Sequence, residues 1–169
     1  MTRSEILSIA RKVLKAYGFK PIKTKFYLDL EEVFIVARVS SWYGGLSYAL
    51  EYNFAIKAIH DASERTGDMF AGYDLGGLPY FFNKHGEDNL REMPKETFEE
   101  DLNEMLERYI TPFKTNALEH ILNARFVEGK TNNMPVYMIT KKSQQYLGVD
   151  YSKGLPPDAF SATWCPPSP

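Results

Sequence analysis

Residues 46–58 alternate between two chemistries without a break. Tyr48, Leu50, Tyr52, Phe54 and Ile56 fall in one register; Ala49, Glu51, Asn53, Ala55 and Lys57 fall in the other. Successive side chains of a strand point to opposite faces, so this pattern predicts a long strand with one buried face and one wetter face. Such a strand needs neighbours. Val33 to Trp42, immediately upstream, is rich in β-branched and aromatic residues and reads as a central strand. Tyr43-Gly44-Gly45 can reverse the chain between the two, because glycine tolerates positive φ. Ile22 to Asp29 alternates as well, with Ile22, Thr24, Phe26 and Leu28 against Lys23, Lys25, Tyr27 and Asp29. Asp29-Leu30-Glu31-Glu32 serves as its turn. The expected sheet is an antiparallel meander.

Helical spacing brackets it. Ile6, Ile9, Ala10, Val13, Leu14 and Tyr17 share one face of a helix over about residues 3–17, and Thr2 with Glu5 has capping-box spacing. Gly18 is placed to close that helix in the left-handed conformation, with Phe19 packing back on its last turn. A second helix is expected from about Pro94 to Ile110, with Phe98, Leu102, Met105, Leu106 and Tyr109 as its apolar stripe. Pro94 suits a first turn, where a missing N–H costs nothing. Pro112 marks a break, and Phe113, Ala117, Leu118, Ile121, Leu122 and Phe126 outline a third helix. Met134 to Ile139 reads as a strand, and Thr140 can cap a short helix through Leu147, closed by Gly148. Between sheet and second helix, Ile59 to Arg65 reads as a helical turn and Tyr80-Phe81-Phe82 as a short strand. The fold class is therefore α+β: a β-meander packed against an N-terminal helix and C-terminal helices. Residues 1–150 make one domain. Residues 151–169, with Leu155-Pro156-Pro157 and the prolines around Cys165, make a Pro-rich arm that can form neither regular helix nor sheet.

Charge is distributed unevenly although the net value is only −2. Residues 1–25 carry seven basic groups against Glu5 alone, while residues 87–107 carry nine acids against Arg91 and Lys95. An asymmetry of this kind steers charged partners. With 11 Tyr, 11 Phe and 2 Trp in 169 residues, the chain has ample material for a core and does not resemble a disordered segment. Its single cysteine excludes an internal disulfide and suits a reducing, cytoplasmic setting. Glu5 falls where a signal peptide would need an apolar run, and no run of about 18 apolar residues occurs, so no membrane partner is expected.

Motifs for chemistry are missing. His60, His85 and His120 lack the spacing of metal ligands, and Cys165 has no basic neighbour to activate it. Gly72-x-x-x-Gly76-Gly77 is neither a Walker loop nor a dinucleotide fingerprint. No nucleophile elbow is present, and Glu31-Glu32 and Glu99-Glu100-Asp101 fall in an expected turn and on a solvated helix face. No cofactor, metal or catalytic residue is expected. Lys20, Lys23 and Lys25 interleave with Phe19, Phe26 and Tyr27 as a stacking surface would. A pI near 5.9 and the habit of guarding edge strands with lysine make nucleic acid an unfavoured partner.

Leu14-Lys15-Ala16-Tyr17-Gly18-Phe19-Lys20, then Phe26-Tyr27, Val33 to Trp42 and the strand from Leu46 form a combination seen elsewhere. Over residues 5–60 it resembles the bacterial domain of unknown function 4304 family. There a helix ends in a Gly-Phe-Lys turn and leads into an antiparallel meander. The resemblance carries no catalytic residues with it. Small α+β proteins of this general kind include immunity proteins, which neutralise a partner toxin. The expected function is thus a non-enzymatic protein-binding domain of immunity type that occludes a basic toxin domain. Its contacts would come from the acidic helix around Glu96, Glu100 and Glu104, or from the wetter sheet face around Trp42, Tyr43 and Glu51. Two alternatives stand beside it. One is a small-ligand or peptide binder with an aromatic cleft near Tyr73, Tyr80 and Phe82; the other is an enzyme in which histidines and carboxylates cluster only in the fold.

Overall fold

The computed structural model describes residues 1–60, 80–81, 90–123 and 141–150, with backbone alone at residues 42, 43, 80, 81, 109 and 123. Its first helix, α1, spans Arg3–Ala16 and starts as the sequence requires: the Glu5 N–H donates to Thr2 Oγ1, and the Thr2 N–H donates to Glu5 Oε2 at 2.8 Å. It ends in a Schellman motif. Gly18 has φ 106°, its N–H donates to the Lys15 carbonyl, and the Phe19 N–H donates to the Leu14 carbonyl at 2.9 Å. Leu14 and Phe19, the apolar pair of that motif, are both buried in the core.

Five strands follow in the sheet: β1 (Lys20–Ile22), β2 (Lys25–Asp29), β3 (Val33–Trp42), β4 (Ser47–Ile56) and β5 (Tyr80–Phe81), adjacent in that order and all antiparallel. The hairpin at the centre matches expectation. Val33 pairs with Ile56 and Trp42 with Ser47, across a 3₁₀ turn in which Gly44 and Gly45 have φ 67° and 92°. The expected single strand over Ile22–Asp29 is instead two. Ile22 pairs with Lys25, so the chain reverses at Lys23-Thr24, with Lys23 in the left-handed region at φ 57°. No Gly or Asn marks that turn, which is why alternation alone ran through it. The resulting edge strand is short, fully exposed and holds Pro21, as an edge tolerates.

The helical layer continues with α2 (Lys95–Met105), preceded by Pro94 in extended conformation as its N-cap. A π turn at Leu106–Ile110 leads into α3 (Thr111–Asn123). Pro112 accounts for the wider turn. Its ring would press on the carbonyl four residues earlier and it has no N–H to offer, and opening the backbone to i→i+5 relieves both. α3 is itself kinked at Asn116 (φ −153°). There Asn116 Oδ1 accepts from the Glu119 N–H, making Asn116 the N-cap of a fresh helical stretch. Glu32, from the β2–β3 turn, accepts the Leu118 N–H at 3.0 Å and so ties that start to the sheet. Phe113, Ala117 and Ile121 are buried as expected, whereas Leu122 is exposed and Phe126 lies outside the described residues. A short helix, α4 (Lys141–Leu147), closes with Gly148 at φ 71°.

One apolar core joins these parts. From α1 it takes Ile6, Ala10, Val13 and Leu14; from the sheet Phe26, Leu28, Ile35, Leu50, Tyr52, Phe54 and Ile56; from the later helices Phe98, Leu102, Met105, Leu106, Ile110 and Phe113. Protein-interior packing of this kind forms an α+β fold with helices on one sheet face. The opposite face corrects an expectation. Ala49, Glu51, Asn53 and Ala55 are buried no less than the residues between them, so β4 has no wet side. Alternation reported a difference in polarity, and polarity there does not mean exposure. The expected helical turn at Ile59–Arg65 lies mostly, and the glycine loop, the Met134–Ile139 strand and the C-terminal arm entirely, outside the described residues.

Candidate functional site

α1 and α2 run side by side, and they bring the basic and acidic segments of the chain together. Lys12 Nζ lies 2.5 Å from Glu99 Oε1, and Lys95 Nζ lies 2.7 Å from Glu5 Oε1. Part of the charge asymmetry is thus spent inside the fold. Glu5 shows the electrostatic consequence. The Lys95 hydrogen bond, then those of Thr2, hold its carboxyl down at about 2, and Lys95 is raised in turn by Glu5. Both groups are open to water, so the pair is a weak fastening.

What remains outside is the acidic stripe. Phe98, Leu102 and Met105 fix the inner face of α2 in the core, which turns Glu96, Glu100 and Glu104, spaced four residues apart, to the exposed side. Asp101 is buried and Glu107 accepts from Thr111, so neither belongs to that stripe. The three expected acids therefore share one open helical face.

The sheet candidates are placed differently. Glu51 is fully buried and cannot touch a partner; the expectation that it anchors a wetter face is corrected. Its carboxylate accepts from Arg38 Nε at 3.4 Å and from Ser40 Oγ. Arg38 and Glu51 are register partners, equidistant from the Gly44-Gly45 turn, a relation visible in the sequence once the hairpin is drawn. Trp42 and Tyr43 sit at the turn, four register steps from Glu51, roughly 13 Å at strand rise, and their side chains lie outside the described residues. Trp42, Tyr43 and Glu51 do not form a single patch.

Of the aromatic-cleft residues, Tyr73 and Phe82 lie outside the described residues, and Tyr80 is described only as a backbone partner of Tyr52. Of the three histidines, His60 and His120 are described. His60 is buried, and His120 is half-buried with its ring edge-on to Phe113 at 4.7 Å, its pKa lowered by burial to about 4. His85 lies outside the described residues. Among the described residues no group of three or more His, Cys, Asp or Glu could hold a metal ion, and no helix is long and apolar enough to cross a membrane.

A cluster at the C-terminal end of α1 has the look of acid–base machinery. Tyr17 Oη donates to the Leu106 carbonyl at 3.0 Å and contacts Thr111 Oγ1, while Lys114 Nζ stands 3.5 Å from the ring centroid. Burial raises the Tyr17 pKa, which keeps its proton in place as a donor. The cluster pins the π turn to α1 and offers no activated base. No family model, curated protein or solved structure matches this chain.

Proposed function

We propose that this chain is a non-enzymatic protein-binding domain that occludes a basic partner, in the manner of an immunity protein neutralising a toxin. One observation carries the reading. Glu96, Glu100 and Glu104 form an exposed acidic row on a helix whose opposite face is locked into the core. A fixed row of like charge loses little entropy on docking and raises the association rate with a basic surface. A nuclease that grips phosphates with Lys and Arg presents such a surface. The resemblance of residues 5–60 to the domain of unknown function 4304 family points the same way, since it brings no catalytic residues. The first experiment is an affinity capture from the native host, followed by kinetics on the partner retained. Glu96→Lys with Glu100→Lys is expected to slow association at least tenfold at low salt and to flatten its salt dependence. A partner whose on-rate is unchanged by the double reversal overturns docking through α2.

A further inference from the structure

α1 and the edge strand beside it share a basic surface. Arg3, Leu7, Arg11 and Lys15 are spaced four residues apart and so fall in one row along α1. Arg3 lines a groove with Thr24, Lys25 and Arg38, which puts the start of α1 at the β1–β2 turn, and Gly18-Phe19 carries the end of α1 directly into β1. The row therefore runs alongside Lys20–Ile22. Glu5 and Lys12 reach α2 from a different side of the helix. Arg3, Arg11, Lys15, Lys20 and Lys23 are all exposed, and none of them is ion-paired within the described residues. The acids of the same stretch are engaged, Glu5 with Lys95 and Asp29 with Lys57 at 2.6 Å. Ile22 stands among these cations 53% exposed, next to Lys23 in the turn.

Such a surface suits few occupants. Pro21 has no N–H, which makes β1 a poor template for an added strand. Phe19, Phe26 and Tyr27, which alternate with the lysines in the sequence, are buried, so their rings cannot stack bases. A protein interface is centred on packed apolar anchors, and among the described residues of this surface Ile22 alone is a large apolar side chain standing clear of the fold. An anionic bilayer asks for what is present. Cations spread over a face each add roughly fivefold to its partition, and an apolar side chain enters the headgroup boundary. Because the net charge of the chain is −2, the attraction belongs to this face and not to the molecule as a whole.

We propose that this face, the Arg3–Lys15 row of α1 with the β1–β2 hairpin, docks the protein on the surface of an anionic lipid bilayer, with Ile22 inserted at the headgroup level. A surface contact of this kind needs no long apolar run and no spanning helix. It leaves the acidic row of α2 to its own partner and does not depend on that docking.

The test is sedimentation of the full chain with vesicles of phosphatidylcholine, with and without phosphatidylserine, at low and high salt. Binding is expected only where phosphatidylserine is present, and high salt should release it. Lys20→Gln with Lys23→Asn, the second chosen because asparagine accepts the left-handed backbone at φ 57°, should weaken binding about tenfold or more. Ile22→Ser, at an exposed position, should weaken it about threefold and leave the salt dependence unchanged. Lys141→Gln with Lys142→Gln, an equal change of charge on α4, should leave binding as it is. No binding to either vesicle, equal binding to phosphatidylcholine alone, or an equal loss from the α4 variant overturns the proposal. So does an Ile22→Ser variant that binds as tightly as the wild type while duplex DNA strips both from the vesicles, since the cations would then belong to a phosphate backbone.

Discussion

Both faces of β4 are buried from Ala49 to Ile56, yet they are built from different materials. The face toward the helices is apolar in four successive rows: Val33 with Ile56, Ile35 with Phe54, Ala37 with Tyr52, Val39 with Leu50. The opposite face sets a small apolar cluster, Tyr27, Val36 and Ala55 with Phe34 beside them, next to Asn53 and the Arg38–Glu51 pair. The first face is held by area removed from water and by dense packing, which are non-directional and tolerant of exchange. The second depends on each polar atom keeping a partner, so its composition is fixed by geometry instead of volume. The difference teaches that burial alone does not say how a face will respond to change.

The largest effect is expected on the apolar face. Phe54 is 1% exposed and its ring centroid lies 5.3 Å from that of Phe113 on α3, so it joins sheet to helix layer. Phe54→Ala should cost about 3–5 kcal/mol of unfolding free energy, by lost transfer and by the cavity left behind. Urea denaturation followed by circular dichroism measures it. A loss below about 1 kcal/mol would mean that the helices do not rest on this face.

The polar face should break asymmetrically. Arg38→Gln takes the Arg38 guanidinium away from the buried Glu51 carboxylate, at a cost of roughly 2 kcal/mol, since Arg38 is partly exposed and the pair is long at 3.4 Å. Glu51→Gln keeps the shape and removes the charge, and should cost under about 1 kcal/mol. Equal losses in the two variants would show that Glu51 is not held as a buried charge.

Legibility in the sequence followed the same division. Where one local rule governs, the sequence sufficed. The Thr2–Glu5 capping box, the Gly18–Phe19 closure and the β3–β4 hairpin with its glycine turn are all present, because cap, turn and alternation are set by residues close in the chain. Where distant groups decide, it did not. Lys23 turns left-handed because β1 must pair with β2, a demand that Lys23 itself does not announce. Glu32 reads as a turn residue, yet it caps a helix stretch 86 positions away. Glu96, Glu100 and Glu104 were legible as an exposed row, since the stripe of Phe98, Leu102 and Met105 sets the orientation of α2. The meeting of Arg3, Lys25 and Arg38 around one groove was not, because they converge only when α1, β2 and β3 are assembled.

A last pair of effects separates an interior site from a surface one by acid. His120, against Phe113 in the layer that Phe54 supports, has its folded pKa lowered by burial to about 4, below its ordinary 6.5. The unfolded chain therefore takes up that proton first, and stability falls as pH drops from 6.5 toward 4, by about 2 kcal/mol after screening by solvent. Glu5 titrates in a lower window. Lys95 and Thr2 hold its carboxyl down at about 2, so its contribution is complete above 4.5 and disappears as pH falls toward 2. Stability followed against pH should show two limbs. His120→Gln should remove the upper one, leave the lower one, and be indifferent to added salt. Glu5→Gln should flatten only the lower one, and 0.5 M salt, with a screening length of about 4 Å, should do nearly the same to the wild-type chain. An upper limb that salt erases would place the His120 charge at the surface, and the Phe113 contact would then contribute nothing to holding the ring neutral.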